Sequence, residues 1–200
     1  MLNTPVERAT DPRPARTRAA IMAAVPRLIA DPAASGEISV NAIARAAGVS
    51  RSAFYAQFSD LDELAVALLV DAFRDIGLDD VDARHDPRAD ARTLARESSR
   101  RLVAHIDERR TFYRASLDWR LSGRVHESVV HAYAQQVLAT IAVLDGGAPP
   151  DVVPEDAARF IAGGAIAMLT AWLRDEAPGG RDTMADRLVA VMPNWLVGTA

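Results

Sequence analysis

The 200-residue chain contains no cysteine and no lysine, and only 6% of its residues are Phe, Trp or Tyr. Without cysteine there is neither a disulfide framework nor a thiolate metal site. The scarcity of aromatics, beside abundant Ala, Leu and Val, favours helices over sheets. No apolar run reaches the ~18 residues of a membrane span. Residues 1–18 are rich in Arg and Pro and lack the apolar centre of a secretory signal. A cytoplasmic chain without a membrane partner is therefore expected. Half of the residues are apolar and a quarter charged, the profile of a globular protein rather than a disordered one.

The charges are unevenly placed. The formal net charge is −4, yet residues 1–59 hold seven arginines against four carboxylates, and residues 60–200 hold sixteen against twenty-three. A small basic head on an acidic body suits a head that faces phosphates, because neutralising each phosphate releases condensed counterions. Ordinary scatter around a Pro-Arg tail would give the same balance, so charge alone leaves both readings open.

Nearly every segment reads as helix, and the fold class expected is all-α. Residues 1–16, with Pro5, Pro12 and Pro14, read as a flexible arm. A first helix is expected over 17–30, with Ile21, Ala24, Val25, Leu28 and Ile29 on one stripe and a kink at Pro26. The run 31–36 is a stop. Two short helices, 39–47 and 50–57, precede a fourth over 59–77, and 78–87 reads as an acidic connector. Further helices are expected over 88–107, 109–120, 122–144, 155–176 and 181–196, the last interrupted by Pro193. The domain reading is an arm (1–16), a head (17–59) and a helical body (60–200).

The informative stretch is ISVNAIARAAGVSRSAFYAQFSDLDEL, residues 38–64. Val40, Ile43, Ala44 and Ala47 recur at i, i+3, i+4 and i+7, so one face of the first short helix is buried. Gly48 can take the left-handed backbone that a tight turn between helices needs, and Ser50 can cap the next helix. Phe54 and Phe58, four apart, turn that helix's apolar side inward. Arg51, Ser52, Tyr55 and Gln57, with the small Ala53 and Ala56, then point outward. A helix this short is not stable alone. Its phenylalanine anchors present its other face, as in a helix-turn-helix whose second helix enters the major groove.

On these residues the stretch resembles the DNA-binding head of TetR-family (tetracycline-repressor-like) regulators. In that family a similar apolar-x-x-Ile-Ala-x-x-Ala-Gly-Val-Ser run leads into a recognition helix ending in Tyr-x-x-Phe. The matching residues are Val40, Ile43, Ala44, Ala47, Gly48, Val49, Ser50, Tyr55, Phe58 and Leu64. A looser resemblance lies at Phe160 through Ile166 with Trp172-Leu173, where many members have Phe-x-x-Gly-Gly and Trp-Leu in a helix of the dimer interface. The resemblance thus implies a homodimer in contact through Phe160, Gly163, Gly164, Ala167 and Trp172, with tight packing inside one subunit as the other explanation of the glycines.

It also implies a double-stranded DNA operator. Ser39 and Ser50 would serve phosphates with hydroxyls or helix N-termini, and Tyr55 and Gln57 would also bind phosphate. Arg51, Ser52 and Ala53 would meet base edges, and only Arg51 could make a bidentate contact to guanine. Tyr55 as a core aromatic and Arg51 as a solvated charge are the plainer alternatives. Two departures stand out: Leu61 replaces the family's usual lysine, and Ala53 and Ala56 are small, which leaves base readout thin. In the body, the resemblance implies a pocket for a small hydrophobic effector. Its candidate lining is His105, Phe112, Tyr113, Leu117, Trp119, Tyr133, Val137, Met168 and Trp172, for each of which ordinary core is the competing role.

No catalytic constellation accompanies these features. His126 and His131 lie about 140° apart around a helix, so they do not share a face as a zinc-binding pair would. No phosphate-binding loop, dinucleotide fingerprint or nucleophile elbow is present. Neither an enzyme activity, a metal nor a cofactor is expected. The expected function is a ligand-responsive repressor released from a palindromic operator. An activator, or a helical ligand-binding module with the same head but no ligand-released operator, is the alternative.

Overall fold

The computed structural model describes residues 12–30, 38–86, 88–118, 123–144, 147–175 and 179–198. Residues 1–11 of the expected arm, the stop at 31–36 and Trp119 lie outside them. Among the described residues there are ten α-helices and no strand. They are α1 (Arg13–Ala30), α2 (Val40–Ala47), α3 (Arg51–Tyr55), α4 (Leu61–Ala83), α5 (Ala91–Glu108), α6 (Arg110–Asp118), α7 (Gly123–Ala142), α8 (Pro154–Arg174), α9 (Arg181–Ala190) and α10 (Asn194–Val197). The chain divides into two units, Met1–Leu61 and Asp62–Ala200.

In the first unit, α1 starts four residues before the expected 17, inside the presumed arm. The reason is local: Pro14 falls in the first turn, where a helix has no N–H bond to lose, and Arg16 N–H donates to the Pro12 carbonyl at 3.1 Å. The helix remains continuous through Pro26. Ile21, Ala24 and Val25 of α1 are buried, as are Ile43 and Ala44 of α2 and the rings of Phe54 and Phe58. These residues form the core on which α1, α2 and α3 meet.

In the second unit, α7 packs along α8, α5 along α9 and α10, and α6 against α8. Its core includes Val137, Ile141, Ala158, Ile161, Ala162, Val189 and Leu196. Pro154 opens α8 at a position that tolerates proline. Within the span 181–196, read as one helix interrupted by Pro193, α9 ends at Ala190 and Pro193 immediately precedes α10. By length and composition, α8 is the one described helix that could cross a membrane, but 44% of its apolar window is buried within the chain.

The largest departure from the sequence reading is α4, which does not stop at Gly77 but runs to Ala83. Gly77 is buried mid-helix, where a Cβ would sit 2.0 Å from Oε1 of Gln136 on α7. The missing side chain makes room for that amide. One turn later, Asp80 and Arg84 pair at 2.7 Å with both side chains only 6% exposed. Asp80 also accepts hydrogen bonds from Ser98 Oγ of α5 and Thr140 Oγ1 of α7, each at 3.0 Å. Part of the expected acidic connector is therefore a buried network joining three helices. Its carboxylate tolerates burial because it is both paired and hydrogen-bonded.

Candidate nucleic-acid interface and ligand cavity

The head builds its presenting helix from local rules. Ser39 caps α2 by accepting the Ala42 N–H at 3.3 Å. Gly48 ends α2 at φ 68°, ψ 29°. There the N–H of Gly48 donates to the Arg45 carbonyl at 3.1 Å and that of Val49 to Ala44 at 2.9 Å. This is the six-to-one and five-to-two pattern of a Schellman turn, which needs the left-handed residue that glycine adopts without strain. Ser50 then caps α3, accepting the Ala53 N–H at 3.1 Å, and its Oγ also lies 2.9 Å from that of Ser52.

The α-helix itself covers only Arg51–Tyr55, shorter than the expected 50–57. Helical bonds nevertheless continue past it, with the Phe58 N–H donating to the Phe54 carbonyl at 2.9 Å. The Phe54 and Phe58 rings meet in the core with centres 5.7 Å apart and planes tilted by 45°.

Against that buried side, Ser50, Arg51, Ser52 and Tyr55 are exposed, while Ser39, Ala53 and Gln57 are half-buried. Tyr55 is 48% exposed, with only its ring edge against Phe54. The Arg51 guanidinium lies 6.0 Å from the Tyr55 ring centre, so the two side chains run along the same exposed face. Ser39 and Ser50 each accept one backbone N–H as a helix cap, and a serine hydroxyl that accepts a bond can still donate its own proton.

Two positioning residues escaped the sequence reading, and both lie on α1. Arg18 donates to the Gln57 carbonyl at 3.3 Å, and its guanidinium sits 4.4 Å over the Phe58 ring. Arg27 donates to the Ala46 carbonyl at 3.3 Å. Each arginine satisfies a carbonyl at the C-terminal end of a short helix, where cations are favoured by the helix dipole. Their partners lie 39 and 19 residues away in sequence, beyond the reach of any local pattern.

Among the described residues of the second unit, two cavities stand out. The larger, about 620 Å³, is bounded by α4 (Ala65, Val66, Leu69), Ile106 of α5, α6 (Tyr113, Ser116, Leu117), α7 (His126, Val129) and the last turns of α8 from Ile166 to Arg174. That volume falls in the range of small-molecule sites. The smaller, about 70 Å³, lies beside the Asp80 network and includes Phe73, Leu102, Tyr133 and Val137. Tyr133 stacks on Phe73 at 4.9 Å. Burial, and secondarily the Asp80 charge, push its phenol up to about 12.

Of the candidate ligand residues, Tyr113 and Leu117 therefore line the larger cavity, and Tyr133 and Val137 the smaller. His105 and Phe112 line neither. Phe112 is fully buried, and His105 stands behind the cavity wall with Nε2 2.9 Å from the Tyr113 hydroxyl. Burial, reinforced by the Arg109 charge, holds the His105 imidazole down to about 4, and burial raises the Tyr113 phenol. Met168 is half-buried away from both cavities.

Trp172 is buried under the Arg110 guanidinium, 3.9 Å from its ring centre, and gives its indole N–H to the Gly179 carbonyl at 3.2 Å. Its place is the subunit core, and it lines neither cavity. Ser116, Val129, Thr170 and Arg174 were not anticipated as lining; only their convergence from three helices singles them out.

The remaining dimer candidates share one side of α8. Phe160 is 84% exposed, Gly164 and Ala167 are exposed, and Gly163 is half-buried. A Cβ on Gly163 or Gly164 would meet nothing within 4 Å among the described residues, so packing among these does not account for the two glycines. No group of three or more His, Asp or Glu among the described residues could hold a metal ion.

Residues 36–68 match the model of the family described as bacterial regulatory proteins, tetR family. No curated protein matches the chain by sequence. Among solved structures, the chain is similar to Thermus thermophilus FadR, a TetR-family repressor in complex with lauroyl-CoA, at TM-score 0.66 and 13% identity over 92% of this chain and 96% of that one. It is also similar to RolR in complex with resorcinol (TM-score 0.58, 19% identity, 90% and 89% covered). NalD, the secondary repressor of the MexAB-OprM multidrug efflux pump in Pseudomonas aeruginosa, matches at TM-score 0.52 and 21% identity, with 95% and 100% covered. These likenesses establish the fold. The family match itself is confined to residues 36–68, the helix-turn-helix and the start of α4, and there the chain is similar to the tetR family of bacterial regulatory proteins.

Proposed function

We propose that the protein is a homodimeric transcriptional repressor that acts in the cytoplasm and leaves its operator when a small hydrophobic effector fills the second unit. The observation that carries this reading is the division of labour within α3. Phe54 within it and Phe58 just past its end are buried, while Arg51, Ser52 and Tyr55 are exposed. In this reading Arg51, Ser52 and Ala53 meet base edges. Tyr55, Gln57 and the O–H groups of Ser39 and Ser50 donate to phosphates and set the register. A two-fold dimer would set its paired recognition helices about 34–36 Å apart, in successive major grooves of a pseudo-palindrome.

The stripe of Phe160, Gly163, Gly164 and Ala167 is the proposed dimer face. Its glycines would let a second copy of α8 approach closely, and a two-fold axis would bring the same stripe against itself. Ala167 and Ala171 also line the larger cavity, so the partner would close that side of it. The relatives solved with lauroyl-CoA and with resorcinol support an effector with a substantial apolar part. An effector can weaken DNA binding only by its differential affinity for the two states, typically about 1–3 kcal/mol.

The test is a titration of the DNA upstream of the protein's own coding region at several salt concentrations, followed by footprinting. A steep fall of affinity with salt and a protected palindrome are expected. Salt-independent or absent binding would refute the operator reading.

A further inference from the structure

Building on the cavity reading above, we propose that the effector is an amphipathic acid, with an apolar body in the larger cavity and a carboxylate held by Arg174 at its rim. The second half of the chain is acidic: residues 60–200 carry seven more carboxylates than arginines. Yet among the described residues lining this cavity none is Asp or Glu, and the one permanently charged member is Arg174.

The other polar members divide into two groups. Ser116 gives its hydroxyl proton to the Tyr113 carbonyl at 2.7 Å, and the Tyr113 hydroxyl is engaged by His105 at 2.9 Å. These two groups are turned to their own chain. Thr170, His126 and Arg174 have no hydrogen bond or ion pair among the described residues, and Arg174 is exposed. Thr170 and Arg174 stand four residues apart, on one face at the end of α8.

The walls deeper in are apolar: Ile106, Val129, Ile166 and Leu169 are buried, and Val66 and Leu69 half-buried. A ligand that satisfies both regions needs an apolar body for these walls and an acceptor group for the rim. Arginine presents a planar fork of N–H donors that matches a carboxylate in two parallel bonds. The Thr170 hydroxyl and the His126 ring can each add a donor beside it. A cationic ligand would meet Arg174 with no carboxylate among the described lining residues to offset the repulsion. An uncharged one would leave the guanidinium facing an apolar group.

The experiment is calorimetric titration of the full-length protein with four probes that share a ten-carbon chain: decanoate, decanol, decyl phosphate and decyltrimethylammonium, each below its micelle concentration. Three proteins are compared: wild type, Arg174→Gln and Leu117→Trp, the last to fill the cavity. Arg174 holds nothing else in place, so Arg174→Gln should melt like wild type. Decanoate should bind wild type roughly 10–100-fold more tightly than decanol, the ratio expected for charge-assisted hydrogen bonds. That preference should vanish in Arg174→Gln with decanol binding unchanged, and Leu117→Trp should weaken both.

Equal binding of decanoate and decanol, a preference that survives Arg174→Gln, or tighter binding of the ammonium would overturn the acid assignment while leaving the cavity as the effector site. Tighter binding of decyl phosphate would replace the carboxylate with a phosphorylated head. If none of the probes bound, or if Leu117→Trp changed nothing, the cavity reading would fall too.

Discussion

Gly164 lies inside α8, and a Cβ there would meet nothing within 4 Å among the described residues, which makes the substitution Gly164→Ala diagnostic. Within one subunit the change should be favourable. Alanine is better than glycine in a helix interior by about 0.8–1 kcal/mol, and the new methyl has open space within 4 Å. In a chain of this size a gain of that order raises the melting temperature by roughly 2–4 °C. In the dimer the sign reverses if two copies of α8 pack through these glycines. Overpacking a close contact costs about 1–3 kcal/mol, and two-fold symmetry counts it twice. A dimer loss of about 2 kcal/mol or more follows, roughly thirtyfold in the dissociation constant. Sedimentation equilibrium measures the dissociation constant, and urea unfolding at high dilution measures the subunit. The reasoning is refuted if Gly164→Ala leaves dimerisation unchanged or tightens it. Phe160→Ser is the companion. Its ring is 84% exposed in the subunit, so the change should weaken the dimer with little effect on subunit stability.

Arg51→Ala should lower operator affinity and relax preference at one base pair, by about 1–3 kcal/mol there, whereas Tyr55→Phe should weaken all sequences alike. Binding to a library of single-base operator variants separates the two, and the reverse pattern would mean that reader and anchor have been exchanged. Arg18→Gln withdraws the guanidinium from the Gln57 carbonyl and the Phe58 ring. Operator affinity should fall although the residue is not on the exposed face of α3, and circular dichroism should report nearly unchanged helix content; unchanged affinity would deny Arg18 a positioning role. His105 gives a pH prediction. Its folded value of about 4 lies below its ordinary 6.5, so the unfolded chain binds the proton first. The stability tied to neutral His105 is present above pH 6.5 and is lost as pH falls toward 4. The loss is roughly 3 kcal/mol at most. Urea unfolding across this range should show a smaller acid loss for His105→Gln than for wild type, and identical slopes would contradict the assignment.

The head was legible because its determinants are local. The period of Val40, Ile43, Ala44 and Ala47, the left-handed Gly48 and the two serine caps act within a few residues of themselves. The same local logic failed at Gly77, read as a stop. There, a glutamine 59 positions further on fills the space left by the missing Cβ, and the following turn is held by Asp80, Ser98 and Thr140. Trp172 misled for a related reason. An aromatic on an amphipathic helix looks equally suited to a pocket, a dimer contact or a core. Only the guanidinium of Arg110 and the carbonyl of Gly179 place it in the core.

By itself, then, the amino-acid order determined that the chain is helical, where its helix-turn-helix lies and which face of α3 is turned outward. Period, caps and turn residues are properties of neighbours along the chain. Tertiary structure alone decided that Arg18 and Arg27 hold the ends of the short helices, that Asp80 is buried, and that the larger cavity carries an arginine at its rim and no carboxylate among its described lining residues. Those facts depend on which distant side chains converge, and such convergence leaves no periodic trace in the sequence.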